Sequence, residues 1–295
     1  MALAIITYVA ISQLGYVITS RVAAYADAGA PLVYQNAWLM LQVPYGVIGV
    51  TLLTAIMPRL SLAQTQTPTS FSFPVEGGQV VFHPVDHASM VVETPGGVIY
   101  VDPVGGAEAY QGKPQPSLIL ITHEHGDHFD LPTLQALPAV AIIANPAVHA
   151  MLPAEMQSRA TAMANGDQAQ AIGIGIEAVP AYNTSPDKQQ FHPQGRDNGY
   201  VLTIGDKRFY IAGDTEDTPE MRALENIEVA FLPMNLPYTM TVQQAADAVG
   251  DFRPVSVFPY HHRGSDVQEF ARLVEASDAG SLVVIANWYP QGEAG

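Results

Sequence analysis

Residues 122–128 read Thr-His-Glu-His-Gly-Asp-His and follow directly on Ser117-Leu-Ile-Leu-Ile121, an apolar, partly β-branched run that predicts a buried strand. His123, His125, Asp127 and His128 place four potential metal ligands within six consecutive positions. A loop just after a core strand is where a rigid scaffold aims such side chains at one point. His123 and His125 alternate with Glu124, so an extended backbone sends both to the same side. Gly126, with its free φ, is expected to turn the chain and bring Asp127 and His128 towards the same cavity. Imidazole nitrogen and carboxylate oxygen suit zinc and related divalent ions. The alternative is a polar surface turn. So many ligands beside a hydrophobic strand argue for a metal site.

Four ligands do not complete a two-metal centre. The strand pattern Arg208-Phe-Tyr-Ile-Ala212 ends in Gly213-Asp214-Thr215, which puts Asp214 at a strand end, a good place for a carboxylate bridging two cations. Asp214 is not needed as a helix cap, because Thr218-Pro219 already has the form of a cap and first helical residue. Further on, the short strand Val255-Ser-Val-Phe258 leads into Pro259-Tyr-His261-His262. One of these two histidines is expected to complete a second metal, and spacing alone does not separate them.

With these stretches the chain resembles the metallo-β-lactamase superfamily, whose signature is His-x-His-x-Asp-His followed by later His, Asp and His ligands. The resemblance covers residues 72–290. Within the superfamily the chain looks most like the ascorbate-6-phosphate lactonase-like branch of metal-dependent hydrolases. The supporting stretches are His87-Ala-Ser89, Val101-Asp102-Pro103, Gly199-Tyr-Val201, Tyr210-Ile-Ala-Gly-Asp-Thr215 and Pro259-Tyr-His261. The resemblance implies that His123 and His125 bind metal one, that Asp127, His128 and His261 bind metal two, and that Asp214 bridges them. It prefers His261 over His262. For the third ligand of metal one, many relatives carry a histidine after a Pro-Ala-x segment, whereas Val179-Pro-Ala-Tyr-Asn183 offers asparagine here. Some branches show Tyr-Asn followed by His-Pro, which assigns His192 and leaves Asn183 as the competing choice. His87 is implied near the metals, as a catalytic donor or substrate contact, with Asp102 and Thr122 orienting ligands.

The chemistry that follows is hydrolysis. A hydroxide bridging two divalent ions about 3.5–4 Å apart attacks an ester, lactone or phosphodiester, and the ions stabilise the charge that develops. Zinc is the expected metal, with manganese or iron as alternatives, and Asp127 doubles as proton acceptor. Other readings stay open: a non-catalytic metal-binding scaffold, or nuclease or β-lactamase activity on the same fold. Against a β-lactamase, Asp214 and His192 stand where true zinc β-lactamases use different residues. Against a nuclease stands charge. Outside the first sixty residues the chain has 10 basic and 27 acidic residues, a net −17, and such a surface repels a phosphate backbone. Arg263, directly after the histidine pair, is a candidate contact for a substrate phosphate or carboxylate, unless it pairs with Asp266. There is no cysteine, which excludes Cys-ligated zinc and disulfides.

The layout predicts an α/β protein, an αββα four-layer sandwich. Three short strand patterns over 79–102 are broken at Pro84, His87 and Pro95-Gly-Gly97. Asp130 is placed to cap a short helix over Leu131–Leu137. Strands are expected at Val140–Ala144, Ile174–Val179, Gly199–Ile204, Arg208–Ala212, Val229–Leu232 and Leu282–Ala286. Thr241-Val-Gln-Gln244 has the capping-box form, and Asp266–Ala276 is expected to be helical. The segment 180–198 is too long and polar for a simple turn and is expected to shape a substrate pocket.

Residues 1–60 differ in kind. Their only charges are Arg21, Asp27 and Arg59, and the uncharged stretches Ala2–Ser20 and Pro31–Pro58 approach or exceed the roughly 20 residues of a membrane-spanning helix. The expectation is an apolar helical segment, a two-helix membrane hairpin, joined by a linker over 61–72 to a hydrolase domain over 73–295. Localisation is then membrane-associated or exported if residues 1–60 function, and soluble otherwise. Gln42-Val-Pro-Tyr-Gly-Val-Ile-Gly-Val50 and Thr54-Ala-Ile-Met-Pro-Arg59 resemble an internal piece of the lipid II flippase (MviN-type) family; a fragment of a many-helix transporter implies no transport. Gly46–Ile56 before Ser61-Leu-Ala63 also mimics a signal peptide, but with Arg59 on the wrong side of the apolar run. A chain beginning at Gln64 is expected to be soluble and to keep its metals and activity. Purification and metal counting check this, and insolubility or metal loss would make the apolar segment part of the fold.

Overall fold

A computed structural model describes residues 68–290 and Gly292. The apolar segment 1–60 and most of the linker expected over 61–72 lie outside the described residues. Among the described residues no helix is long and apolar enough to cross a membrane.

Two seven-stranded sheets are formed by the described residues. The first runs in chain order: β1 (Phe71–Val75), β2 (Gly78–Asp86), β3 (Ser89–Thr94), β4 (Gly97–Val101), β5 (Leu118–Ile121), β6 (Ala141–Ala144) and β7 (Ala160–Ala162). The second comprises β8 (Gln168–Ala171), β9 (Ile174–Ala181), β10 (Asp197–Ile204), β11 (Lys207–Ile211), β12 (Ile227–Pro233), β13 (Ser256–Tyr260) and β14 (Leu282–Val283). Each sheet begins as an antiparallel meander and continues with parallel strands: β4 to β7 in the first, β11 to β14 in the second. The parallel strands need crossovers. Those crossovers carry the helices α1 (Leu131–Ala136), α2 (Pro146–Met151) and α3 (Ala154–Gln157) on the first sheet, and α4 (Pro219–Arg222), α5 (Val242–Phe252) and α6 (Val267–Ala276) on the second.

Period-two alternation sorts the side chains into layers. Leu118 and Leu120 of β5 face the second sheet, in a core shared with Phe82, Tyr200, Phe209, Phe231 and Phe258. Ile119 and Ile121 face outwards and pack with Leu134, Val148 and Met156 of α1, α2 and α3. On the other side Val201, Ala230 and Val257 pack beneath Ala245, Val249 and Phe252 of α5 and Phe270 and Val274 of α6. Three cores separate four layers, the expected αββα sandwich. The capping box at Thr241 and Gln244 starts α5, and Arg253, left-handed at φ 46°, ends it. Asp130, Asn145, Thr218 and Asp266 cap α1, α2, α4 and α6 through their side chains.

Several expectations are corrected. β2 runs through Pro84, where a break was expected. Its pairing with β1 ends at Phe82, and the irregularity is absorbed as a register shift against β3 between Pro84 and Asp86. β14 stops at Val283 rather than Ala286. β1 begins at Phe71, within the stretch assigned to the linker, and β7 and β8 carry no signal because they are short and alanine- and glutamine-rich.

Phe231 lies at the centre of the inter-sheet core, with ring centroids 4.8 Å from Phe82, 5.0 Å from Phe258 and 6.0 Å from Trp288. Phe231→Ala is expected to cost about 3–5 kcal/mol of unfolding free energy, measured by urea denaturation. A loss below about 1 kcal/mol would contradict this packing.

Candidate metal centre

The chain turns back at the ends of parallel strands, and the polar residues collect there. Asp102 follows β4, Thr122 and His123 follow β5, Asp214 follows β11 and His261 follows β13, while His87 forms the β2–β3 turn and His192 the β9–β10 loop. His87, Asp102 and His261 are left-handed, with φ of 51°, 45° and 45°. Gly213, at φ 65°, permits the approach of Asp214, since a Cβ there would sit 2.8 Å from Asn198 O. Gly126, by contrast, takes an ordinary φ. The turn of the heptapeptide is made instead by the amides of His128 and Phe129, which donate to His125 O at 2.9 and 2.8 Å.

One carboxylate sets the proton positions of two histidines. Asp102, fully buried, accepts from Thr122 N and Thr122 Oγ1, both at 2.7 Å, and from His128 Nδ1 at 2.8 Å. Having donated its proton, Thr122 Oγ1 accepts from His123 Nδ1 at 3.0 Å. In their neutral forms both rings therefore present a bare Nε2 to the interior. His192 repeats the arrangement: its Nδ1 donates to Asp197 at 3.0 Å, and Arg196 clamps that carboxylate at 2.6 and 2.9 Å. Arg196 also pairs with Glu124 at 2.9 Å.

Three ring nitrogens converge on Asp214. Its Oδ1 lies 3.3 Å from His128 Nε2, and its Oδ2 lies 3.5 Å from His192 Nε2 and 3.4 Å from His261 Nε2. His261 Nε2 is in turn 3.2 Å from Asp127 Oδ2. Among the described residues three groups have ligand atoms within 4.8 Å of one another: His123, His125 and His192; His123, His128 and Asp214; and His87, Asp127 and His261. His123 Nε2, His128 Nε2 and Asp214 Oδ1 are buried without a hydrogen-bond partner. A bare ring nitrogen facing a carboxylate oxygen sets two lone pairs against each other, and this is tolerable only with positive charge, a metal ion or a proton, between them. The nitrogen and oxygen donors fit a divalent ion of the zinc type.

Electrostatics point the same way. Burial, reinforced by the neighbouring His128, holds His123 well below the usual imidazole range, so it is a neutral donor. Burial likewise lowers His125, then the charges of His192 and Arg196, and burial lowers His87. For Asp214, burial would raise the pKa, but the charges of His261 and His128 outweigh it and keep the carboxylate ionised. Burial opposes ionisation of Asp127 too, and hydrogen bonds from His261 and His87 outweigh it. For His128 burial disfavours the charged ring, yet Asp214 and Asp102 together push its pKa well above the ordinary value. That is the response of a site built for positive charge. The Asp127 side chain is 47 % exposed while His123 and His128 are fully buried, so the site opens to solvent at Asp127.

The structure thus brings together His87, His123, His125, Asp127, His128, His192, Asp214 and His261. Asn183 does not join them: its Nδ2 donates to Lys188 O and Tyr238 O. His262 packs its ring on Tyr289 instead. Arg263 makes no ion pair among the described residues, because Asp266 is engaged in capping α6. Glu216 fastens the loop that carries His192. Its carboxylate accepts from Thr184, Ser185 and Lys188, and although burial opposes ionisation, the Lys188 and Ser185 hydrogen bonds bring its pKa down to about 2. Asp197, Glu216 and Tyr289 were not singled out in the sequence. An aspartate five residues after the candidate His192 was the available signal for Asp197; Tyr289 had none.

Residues 82–261 match the family model of the beta-lactamase superfamily domain, and residues 1–72 match that of the lipid II flippase MurJ. A UPF0173 metal-dependent hydrolase of Pyrococcus horikoshii is 31% identical over 178 residues, which are 57% of this chain and 77% of the relative. A protein of Parabacteroides distasonis described as a metal-dependent hydrolase has a crystal structure that superposes with a TM-score of 0.68 at 40% identity, covering 75% of this chain and 99% of that one. A metallo hydrolase of the archaeon Ignicoccus hospitalis superposes with a TM-score of 0.58 at 26% identity, over 70% of this chain and 94% of that one.

Asp102→Asn removes the acceptor that orients His128 and Thr122 together. Metal affinity is expected to fall about 10–100-fold with the fold retained, measured by competition with a chromogenic chelator and by near-UV circular dichroism. Unchanged affinity would mean Asp102 does not set these rings.

Proposed function

The chain belongs to the beta-lactamase superfamily as a metal-dependent hydrolase, and from that premise we propose a binuclear centre that hydrolyses an ester, lactone or phosphodiester. The observation that carries the proposal is Asp214, whose two oxygens lie 3.3–3.5 Å from His128, His192 and His261. A carboxylate shared between two sets of donors is what a bridging ligand requires. His123, His125 and His192 would hold one cation and Asp127, His128 and His261 the other, with Asp214 common to both. When bound, the pair supplies a water deprotonated near neutral pH and polarises the scissile carbonyl or phosphoryl oxygen. Zinc is the metal proposed from the donor set, ahead of manganese or iron.

The chain's own residues supply orientation and proton handling. Asp102, Thr122 and Asp197 hold the rings so that their free nitrogens face inward. Asp127, at the solvent edge, is the residue placed to accept a proton as the substrate enters. His87, 3.4 Å from Asp127 through Nε2, is placed beside it. Arg263, exposed and with its guanidinium 5.8 Å from the Tyr289 ring centroid, is available to a substrate carboxylate or phosphate. Acidic residues exceed basic ones by 28 to 12 over the whole chain, which supports a small substrate over nucleic acid. A linker that begins at 61 and ends before Phe71, with membrane association through residues 1–60, belongs to the same proposal.

Metal analysis of the purified chain is expected to return two ions per chain, and His192→Ala about half that occupancy, since the first set then keeps only two histidines and Asp214. Unchanged stoichiometry would reject His192 as a ligand. Turnover of a generic ester, lactone or phosphodiester is expected to stop with chelator and return with added zinc. Chelator-insensitive turnover would end the proposal.

A further inference from the structure

The group His87, Asp127 and His261 invites a reading as a cation site, since its ligand atoms lie within 4.8 Å of one another. Hydrogen-bond counting at Tyr289 decides against it. The backbone amides of His262 and Arg263 both donate to Tyr289 Oη at 2.9 Å. Amide groups only donate, so these two bonds occupy both acceptor positions of the phenol oxygen. His87 Nδ1 is the third partner, also at 2.9 Å. A third donor has no lone pair left to receive it, so the phenol's own proton points at His87 Nδ1. A neutral ring accepting at Nδ1 carries its proton on Nε2. That atom lies 3.4 Å from Asp127 Oδ2, at the solvent-facing edge of the centre.

The rest of the environment locks this arrangement. His87 N donates to Trp288 O at 2.8 Å, and His261 N donates to His87 O at 3.2 Å. The His87 ring packs against His261 with centroids 3.7 Å apart and planes tilted by 36°. The left-handed backbone at His87 is fixed by these bonds from both sides.

We propose that Tyr289 is a positioning residue that holds His87 in its Nε2–H tautomer, making His87 a hydrogen-bond donor to the substrate oxygen on which negative charge grows, and not a metal ligand. The role rests on the hydrolase reading above; the tautomer does not. Asp127 is the partner of the Nε2–H until substrate arrives, and the exposed side of Asp127 is where a carbonyl or phosphoryl oxygen can take its place. A donor fixed in direction before the reaction is most effective where charge develops in a partly dry site.

Two independent measurements test this on the full chain. Long-range 15N–1H spectra of histidine-labelled protein, metal-free and zinc-loaded, are expected to show the Nε2–H pattern for His87, with its signal assigned by loss in His87→Gln. In Tyr289→Phe, which keeps the ring but removes the donated proton, the pattern is expected to shift towards a mixture of tautomers. An Nδ1–H pattern in the unaltered chain would overturn the proposal, whatever the activity. Kinetics form the second arm. Tyr289→Phe is expected to lose about 10-fold in kcat and His87→Ala about 100-fold, with KM changed less, on the scale of losing one preorganised donor. His87→Gln, whose amide N–H reaches the same position, is expected to recover part of the His87→Ala loss. Metal content is expected to stay equal in all four proteins, and loss of an ion in His87→Gln and His87→Ala would make His87 a ligand and end the proposal. If instead the unaltered chain binds no metal or turns over nothing that chelator stops, the hydrolase reading fails while the tautomer result stands by itself.

Discussion

Asp214 keeps a full negative charge in the protein interior, and the centre is arranged around that charge. Isolated, a buried carboxylate would be neutralised by taking up a proton. Here the imidazoles of His128, His192 and His261 surround it, and other carboxylates turn two of those rings so that their Nε2 atoms face it. The arrangement is unfavourable by itself and becomes favourable with positive charge between the donors. This frustration explains why so many polar atoms tolerate complete burial beside an otherwise apolar sandwich. It also explains the opposite tendencies of His123 and His128, adjacent rings of which burial neutralises one while flanking carboxylates charge the other.

The fold brings these groups together through its internal doubling. Each sheet starts as an antiparallel meander and ends in parallel strands, and in each the chemistry sits just beyond the carboxyl ends of the parallel strands. Asp102 and His123 come from one half, Asp214 and His261 from the other. Face-to-face packing of the two sheets aligns those ends along one edge. The Phe231 core and the candidate metal donors are thus successive levels of one inter-sheet space, apolar below and polar at the rim.

Much of this was legible in the chain. The heptapeptide could be read because its candidate ligands are consecutive, and Asp214 and His261 because each follows a recognisable strand. The four layers followed from the two-residue and helical periodicities together with the caps at Asp130, Thr241 and Asp266. What escaped depends on contacts between distant residues. Tyr289 meets His87 across two hundred and two positions, and no local pattern announces it. Asp197 and Glu216 look like ordinary loop acids until the 182–196 loop folds over them. Pro84 was read as a break because the pattern does not show that β1 begins only opposite Phe82, leaving Pro84 without a partner on that side. Gly126 was credited with a turn that backbone hydrogen bonds to His125 make instead.

The fastening of the His192 loop by Glu216 has a thermodynamic consequence. A segment tied down by a buried ion pair with Lys188 and by bonds to Ser185 and Thr184 does not wait for a cation to become ordered. The entropy of arranging that donor is lost during folding, so capture of an ion from solution bears little further ordering cost. In the binuclear centre proposed above, selectivity would then rest on the dimensions of a preset cage, which favours ions of matching radius.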